Sequence, residues 1–270
     1  MKAFLIDVAK CNGCRNCQIS CKDEHCGTSW LPYAAEQPMT GQYWCKVDEK
    51  TRGSVPVVRV SYTPLMCGHC DDAPCMKVAK DDAVYRREDG IVIIDPEKAK
   101  GQKAIYEACP MGAIYWNEDL QLPQKCTGCA HLLDDGWTEP RCVDACPTGA
   151  LQFGEESELD LAGAEQLPEL AGLGAHVWYR NLPKRFVAGC LVDFEAREVA
   201  IGVEVKLLDA SGAEVASMET DEFGDFMFDQ VEAAAYTIEA AGKDGAITLA
   251  ADVTEKDLNL GDIAWAGQAD

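Results

Sequence analysis

The chain has 270 residues, 47% of them hydrophobic and 26% charged, which supplies a buried core and excludes the disordered and fibrous classes. Its net charge of −22, from 46 acidic and 24 basic residues, is the opposite of the basic footprint a nucleic-acid binder needs. No apolar run approaches the ~18 residues of a membrane span, and the apolar patch that Asp7 ends is too short for a secretory signal, so no export signal of its own is expected.

Charge and cysteine divide the chain. Residues 1–154 carry 21 acidic and 17 basic residues, whereas residues 155–270 carry 25 and 7. Fourteen of the fifteen cysteines stand at or before Cys146. The expected organisation is a cysteine-rich domain over 1–154, a linker over 155–185 and a second domain over 186–270.

In chain order, Cys11, Cys14, Cys17 and Cys21 form C-x2-C-x2-C-x3-C. After a long insert, residues 22–66, Cys67, Cys70 and Cys75 form C-x2-C-x4-C. Cys109 precedes Pro110, and Cys126, Cys129, Cys142 and Cys146 form C-x2-C-x12-C-x3-C before Pro147. An odd cysteine count without a signal argues against a disulfide scaffold. Structural zinc usually takes two separated pairs of ligands. Four cysteines within residues 11–21 fit instead the ferredoxin run, in which three thiolates wrap one cubane and the fourth reaches another cluster. A tight loop turns its backbone N–H groups toward the sulfurs, and a proline after the last ligand fixes the turn.

Internal repeats support this reading. Lys10-Cys11-Asn12-Gly13-Cys14 echoes Lys125-Cys126-Thr127-Gly128-Cys129, and Cys109-Pro110-Met111-Gly112-Ala113-Ile114 echoes Cys146-Pro147-Thr148-Gly149-Ala150-Leu151. The second pair reads as a return into a strand after each loop, and residues 90–95 read as another short strand. Cys26, Cys45 and Cys190 are left over and read as small buried hydrophobes. Trp30, Tyr33, Tyr43 and Trp44 in the insert read as core, with a partner interface as the alternative. His69, inside the C-x2-C loop, and His131 read as packing residues in preference to donors toward a cluster sulfur.

At this point the first 154 residues resemble the iron–sulfur subunits of the molybdopterin oxidoreductases related to dimethyl sulfoxide reductase. The resemblance implies paired ferredoxin-like units in which four cysteine groups are used crosswise around [4Fe–4S] clusters. It assigns Cys11, Cys14, Cys17 and Cys146 to one cluster. It assigns Cys21, Cys126, Cys129 and Cys142 to a second, and Cys67, Cys70, Cys75 and Cys109 to a third. The family's fourth site is missing, because Ala79, Ala99, Gln102 and Ile105 stand where its cysteines belong. Those four losses all fall on one cluster. Three clusters and an added tail look nearest to the small subunits of the pyrogallol–phloroglucinol transhydroxylases and catechol dehydroxylases. The runs 83–92, 115–118 and 129–135 share that likeness.

The acidic stretch 155–175 reads as linker, and the basic, aromatic Tyr179–Arg185 as either solvated linker or a segment that docks on the first domain or a partner. From Phe186 onward, short alternating strands take over. Val203, Val205 and Leu207 lie on one face, followed by Val215, Met218, Phe226, Phe228, Tyr236 and Ile238, and polar turns at Asp209–Gly212 and Thr220–Phe226 separate them. They predict a β-sandwich, and the second turn resembles transthyretin-like modules.

The fold class expected is therefore α+β: a double ferredoxin-like iron–sulfur domain followed by a C-terminal β-sandwich, transthyretin-like or immunoglobulin-like. No dinucleotide fingerprint, phosphate loop or nucleophile–base set is present, so the chain is expected to be a non-catalytic electron-transfer subunit. The resemblance implies a heterodimer with a large catalytic subunit that alone holds molybdopterin guanine dinucleotide and acts on a polyphenol. The alternatives are a free-standing polyferredoxin shuttle, a subunit of another molybdopterin reductase, and a scaffold in which clusters only hold the fold. Cytoplasm is the default location, or export alongside a partner with a twin-arginine signal.

Overall fold

The apolar run Ala3-Phe4-Leu5-Ile6 forms the strand Lys2–Asp7, an inner strand of a four-stranded sheet in the computed structural model, which describes residues 1–242 and 245–266. All four side chains are buried, as expected of a strand covered on both faces. Leu151–Glu155 pairs with it antiparallel, setting Phe4 opposite Phe153. Val177–Arg180 pairs with it parallel, setting Ile6 opposite Tyr179, and Ala164–Glu165 closes the far edge.

This sheet belongs to the first of two compact units, residues 1–49 with 61–182; the second is residues 50–60 with 183 onward. Residues 155–185 are thus not a plain linker, because two of their segments are strands of the first unit's sheet. Val177 and Tyr179 alternate inward and are fully buried, so the aromatic start of the basic segment is core.

Around the sheet the first unit is built of short pieces. Val84–Arg86 pairs with Val92–Ile94, and Ile114–Asn117 with Leu122–Lys125. Both C-P-x-G-A repeats run into strands, Ile114–Asn117 and Leu151–Glu155. The helix Asn16–His25 buries Cys17, Cys21 and His25, four residues apart and so on one face. Cys45–Ser54 and Val57–Met66 form a two-stranded ribbon whose tip, residues 50–60, belongs to the second unit.

The second unit has two four-stranded sheets around one core. Arg185–Asp193 lies between Asp225–Val231 and a parallel Leu258–Ala264, with Glu198–Val199 at its end. Glu204–Leu208 and Ala235–Ala240 lie between Glu214–Glu219 and Ile247–Asp252. Val187, Leu191, Phe226 and Phe228 from one sheet meet Val205, Leu207, Tyr236 and Ile238 from the other. Val215, expected in this series, is 51% exposed. It and Met218 are three residues apart, and in a strand such residues point to opposite faces.

The polar turns are built by their aspartates. Asp209 accepts the N–H groups of Ser211 and Ala213 at 2.8 and 3.0 Å, and Asp221 accepts those of Phe223 and Asp225 at the same distances. Gly224 closes the second turn at φ +76°, where a Cβ would lie 2.8 Å from the Leu191 carbonyl oxygen. Among the described residues no helix is long and apolar enough to cross a membrane.

Candidate metal centres

The twelve cysteines singled out by spacing lie in the first unit, and their mutual electrostatic influences fall mainly into three groups, with Cys126 also feeling Cys67. The Cys11 thiol feels the charges of Cys17, Cys14 and Cys146. Cys21 feels those of Cys126, Cys129 and Cys142, and Cys70 those of Cys67, Cys109 and Cys75. Each tetrad joins three thiols from one stretch of chain to a fourth from far away. The helix Asn16–His25 carries Cys17 into the first tetrad and Cys21, one turn on, into the second.

The loops share a backbone device. In the C-x2-C step that opens each of the three groups the second residue after the first cysteine is left-handed: Gly13 at φ +72°, His69 at +48° and Gly128 at +60°. That turn points an N–H at the first thiol. His69 N lies 3.5 Å from Cys67 Sγ and Gly128 N lies 3.3 Å from Cys126 Sγ, while the Gly13 N–H bonds Cys11. At Gly13 a Cβ would lie 2.5 Å from the Tyr62 ring, so glycine is required there. His69 adopts the same conformation against a penalty of ~1–2 kcal/mol. Its Nδ1 accepts the Val92 N–H at 3.1 Å.

Burial pushes most of these thiols up: Cys70 and Cys126 to about 12, Cys75 to about 11, and Cys21 and Cys129 well above the ordinary range. Cys146 moves down instead. Burial opposes its ionisation, but N–H groups of Leu151, Thr148 and Ala150 and the Thr148 hydroxyl outweigh it. Thiols held neutral by burial and by each other ionise when a metal binds. Sets of four soft sulfur donors suit iron–sulfur chemistry. Among the described residues no three His, Cys, Asp or Glu side chains are gathered tightly enough for a single ion, as zinc at ~2.3 Å from sulfur demands. The third tetrad lines a small cavity of about 20 Å³, walled also by Val92, Ile114 and Leu170.

Of the remaining cysteines, Cys45 is buried as expected, with its thiol between Cys17 of the first tetrad and Cys142 of the second. Cys26 and Cys190 are only half-buried. Ala79, Ala99 and Ile105 pack in one apolar core, Ala99 and Ile105 without exposure. Gln102 is turned to the backbone, accepting the Lys80 N–H at 2.8 Å and donating to the Lys80 and Lys98 carbonyls.

In the insert, Trp44 is core and Trp30 stacks on His131 at 4.3 Å between ring centroids, while Tyr43 is 39% exposed. His131 Nε2 lies 3.0 Å from a Glu24 carboxylate oxygen. Spacing did not single out Arg86, which fastens the third loop by donating to the carbonyls of His69, Cys70, Asp71 and Gly90. Nor did it find His176, whose ring nitrogens face Glu156 at 2.7 Å and Asp71 at 3.1 Å. Arg86 lies inside the 83–92 run that carried part of the resemblance, which was its one signal in the sequence.

The family described as the 4Fe-4S dicluster domain matches residues 58–156. The pyrogallol hydroxytransferase small subunit of Pelobacter acidigallici is 42% identical, over 96% of this chain and 97% of its own length. One subunit of the tetrathionate reductase of Salmonella typhimurium is 34% identical, over 68% of this chain and 74% of its own. One component of the anaerobic dimethyl sulfoxide reductase of Escherichia coli is also 34% identical, over 61% and 81%. The chain belongs to the [4Fe–4S] electron-transfer subunits of the molybdopterin oxidoreductases of the dimethyl sulfoxide reductase type.

Proposed function

We propose that this chain carries three [4Fe–4S] clusters in a double ferredoxin-like arrangement and serves a catalytic subunit that transfers or removes hydroxyl groups on polyphenols of the pyrogallol or catechol type. The observation that supports the reading is that Cys11, Cys21 and Cys70 each feel the three other thiols of their proposed set. Cys11, Cys14, Cys17 and Cys146 hold the first cluster. Cys21, Cys126, Cys129 and Cys142 hold the second, and Cys67, Cys70, Cys75 and Cys109 the third. A fourth is absent because Ala79, Ala99 and Ile105 fill its place with apolar packing. Residues 1–154 then contain every ligand and the tail 186–270 none.

When bound, such clusters supply one-electron acceptance and release. The protein's part is to fix their positions and potentials. The N–H groups of Gly13, His69 and Gly128 spread negative charge away from the thiolates, and Arg86 keeps the third loop from opening. Bond making belongs to a large partner that holds molybdopterin guanine dinucleotide, in a heterodimer or a multiple of it. The choice of polyphenol is supported by 42% identity over nearly the full length of the Pelobacter protein, whose name specifies pyrogallol.

Iron and sulfide analysis of the purified complex is expected to give about twelve iron atoms per chain, three cubanes of four. Cys109→Ala is expected to remove about a third of that iron and one set of low-temperature EPR signals. Sixteen irons in the wild type, or loss of all clusters in Cys109→Ala, overturns the assignment.

A further inference from the structure

The first unit contains a buried cation with no carboxylate partner. Lys125 ends the strand Leu122–Lys125, precedes Cys126 and is 2% exposed. Its Nζ donates to the carbonyl oxygens of Val92 and of Cys126, the latter at 3.0 Å. Among the described residues no carboxylate pairs with it. Its counterpart in the repeat, Lys10 before Cys11, has a half-exposed side chain with Asp7 at 3.8 Å. The same dipeptide thus sits in two opposite environments.

An ammonium taken out of water needs a negative neighbour, and two carbonyl dipoles offset only part of its desolvation. The groups beside it that turn negative when a metal binds are the thiols of the proposed second and third sets, Cys126 being its neighbour in the chain. Burial raises Cys75, and the Lys125 charge is the strongest influence opposing that rise. Lys125 also opposes the burial that raises Cys109 and Cys126. Neither of its hydrogen-bond partners, Val92 and Cys126, belongs to the set Cys11, Cys14, Cys17 and Cys146. Val92 anchors it beside the third site: its carbonyl accepts the Lys125 bond, and the residue itself lines the cavity of Cys67, Cys70, Cys75 and Cys109.

We propose that Lys125 is a fixed countercharge shared by the second and third clusters, raising both midpoint potentials while leaving the first alone. The inference rests on the ligand sets proposed above. A cluster with four thiolates is a net anion, and reduction adds one more negative charge. A cation held at fixed distance in a poorly screened interior therefore favours the reduced form. Lys125 is a positioning and tuning residue, not a ligand.

The test is potentiometric titration of the intact complex, read by low-temperature EPR, with signals assigned through Cys109→Ala and Cys14→Ala. In Lys125→Met, the reduced-to-oxidised ratio at fixed potential is expected to fall at least tenfold for two clusters, about 59 mV for a one-electron couple. The cluster of Cys11, Cys14, Cys17 and Cys146 is expected to hold its wild-type value, and Lys125→Arg is expected to restore the other two. Unchanged potentials, equal shifts in all three clusters, or a shift in one alone overturns the proposal. Should Lys125→Met shed iron, Lys125→Arg decides: wild-type iron and potentials support the countercharge, and loss in both variants overturns it. Wild-type iron content separates the two levels. Three clusters with no shift defeats only the role of Lys125, whereas a count other than three defeats the ligand sets first.

Discussion

In the first unit the helix Asn16–His25 has 10 residues, and the helices Pro74–Val78, Lys103–Glu107, Ala130–Asp134 and Arg141–Asp144 have five or four. Such helices are far too short to stand without support. Eight of the twelve candidate ligands in this unit are buried: Cys17, Cys21, Cys67, Cys70, Cys75, Cys126, Cys129 and Cys142. In the second unit, two sheets close over Val205, Leu207, Phe226, Phe228 and Ile238, and each such side chain contributes roughly 1.5–3 kcal/mol by leaving water. The difference separates two kinds of fold information. Spacing between ligands specifies where a metal pulls the chain together, and alternation specifies where water pushes it together.

Removing the iron gives the largest contrast. Chelation under reducing, anaerobic conditions is expected to collapse amide protection in Lys2–Asp7 and Asn16–His25, because metal binding and folding are coupled in such sites. Protection in Arg185–Asp193 and Asp225–Val231 is expected to persist. Hydrogen exchange before and after iron removal reads both. Equal loss in the two units would erase the distinction.

The same contrast explains what was legible beforehand. The cysteine runs were legible because thiolate spacing is a strict code, whereas their grouping into sets of four is what the resemblance implies; Val203, Val205 and Leu207 were legible because a strand repeats every two residues. Of the two readings of Tyr179, linker or docking segment, the alternation of Val177 and Tyr179 did not decide, because the strand is only four residues long and pairs with Lys2–Asp7, distant in sequence. The ribbon tip 50–60 carries no composition signal for its place in the second unit. Lys125 was visible only as half of a repeat, and nothing in Lys10-Cys11 and Lys125-Cys126 tells which lysine is buried.

A smaller effect sharpens the second half of the comparison. Within the second unit, Arg52 Nη1 lies 2.9 Å from Asp257 Oδ1, and the same oxygen accepts the Phe186 N–H at 3.0 Å. Asp257 is 3% exposed and Arg52 17%. Removing one partner of a buried pair strands the other, so Asp257→Ala is expected to cost the second unit about 3–5 kcal/mol. Iron content is expected to stay at the wild-type level. Denaturant melting followed by hydrogen exchange in Arg185–Asp193 measures the loss, and a change below about 1 kcal/mol would show the pair to be dispensable.

The smallest effect is a pH slope confined to the first unit, which holds all four histidines. His25 is 1% exposed, with its ring centroid 4.6 Å from Trp44 and 5.4 Å from His131. Burial, and then the neighbouring His131, lower its pKa to about 3. In the unfolded chain the value returns to about 6.5. Between those values the unfolded state binds a proton that the folded state refuses, so stability rises with pH across the window. Above about 6.5 the contribution is complete, and as pH falls it is lost at about 1.4 kcal/mol per unit until the folded imidazole itself titrates. Work between pH 7 and 5 keeps to the upper part of that window and gives a loss of roughly 2 kcal/mol from this one group. His25→Leu keeps an apolar side chain in the site and removes the proton. The first unit's stability is then expected to lose that share of its pH dependence, while the second unit's slope stays the same. Identical slopes in wild type and His25→Leu, measured with iron content held equal, would show that His25 is protonated without cost and that the core around Trp44 is open to water.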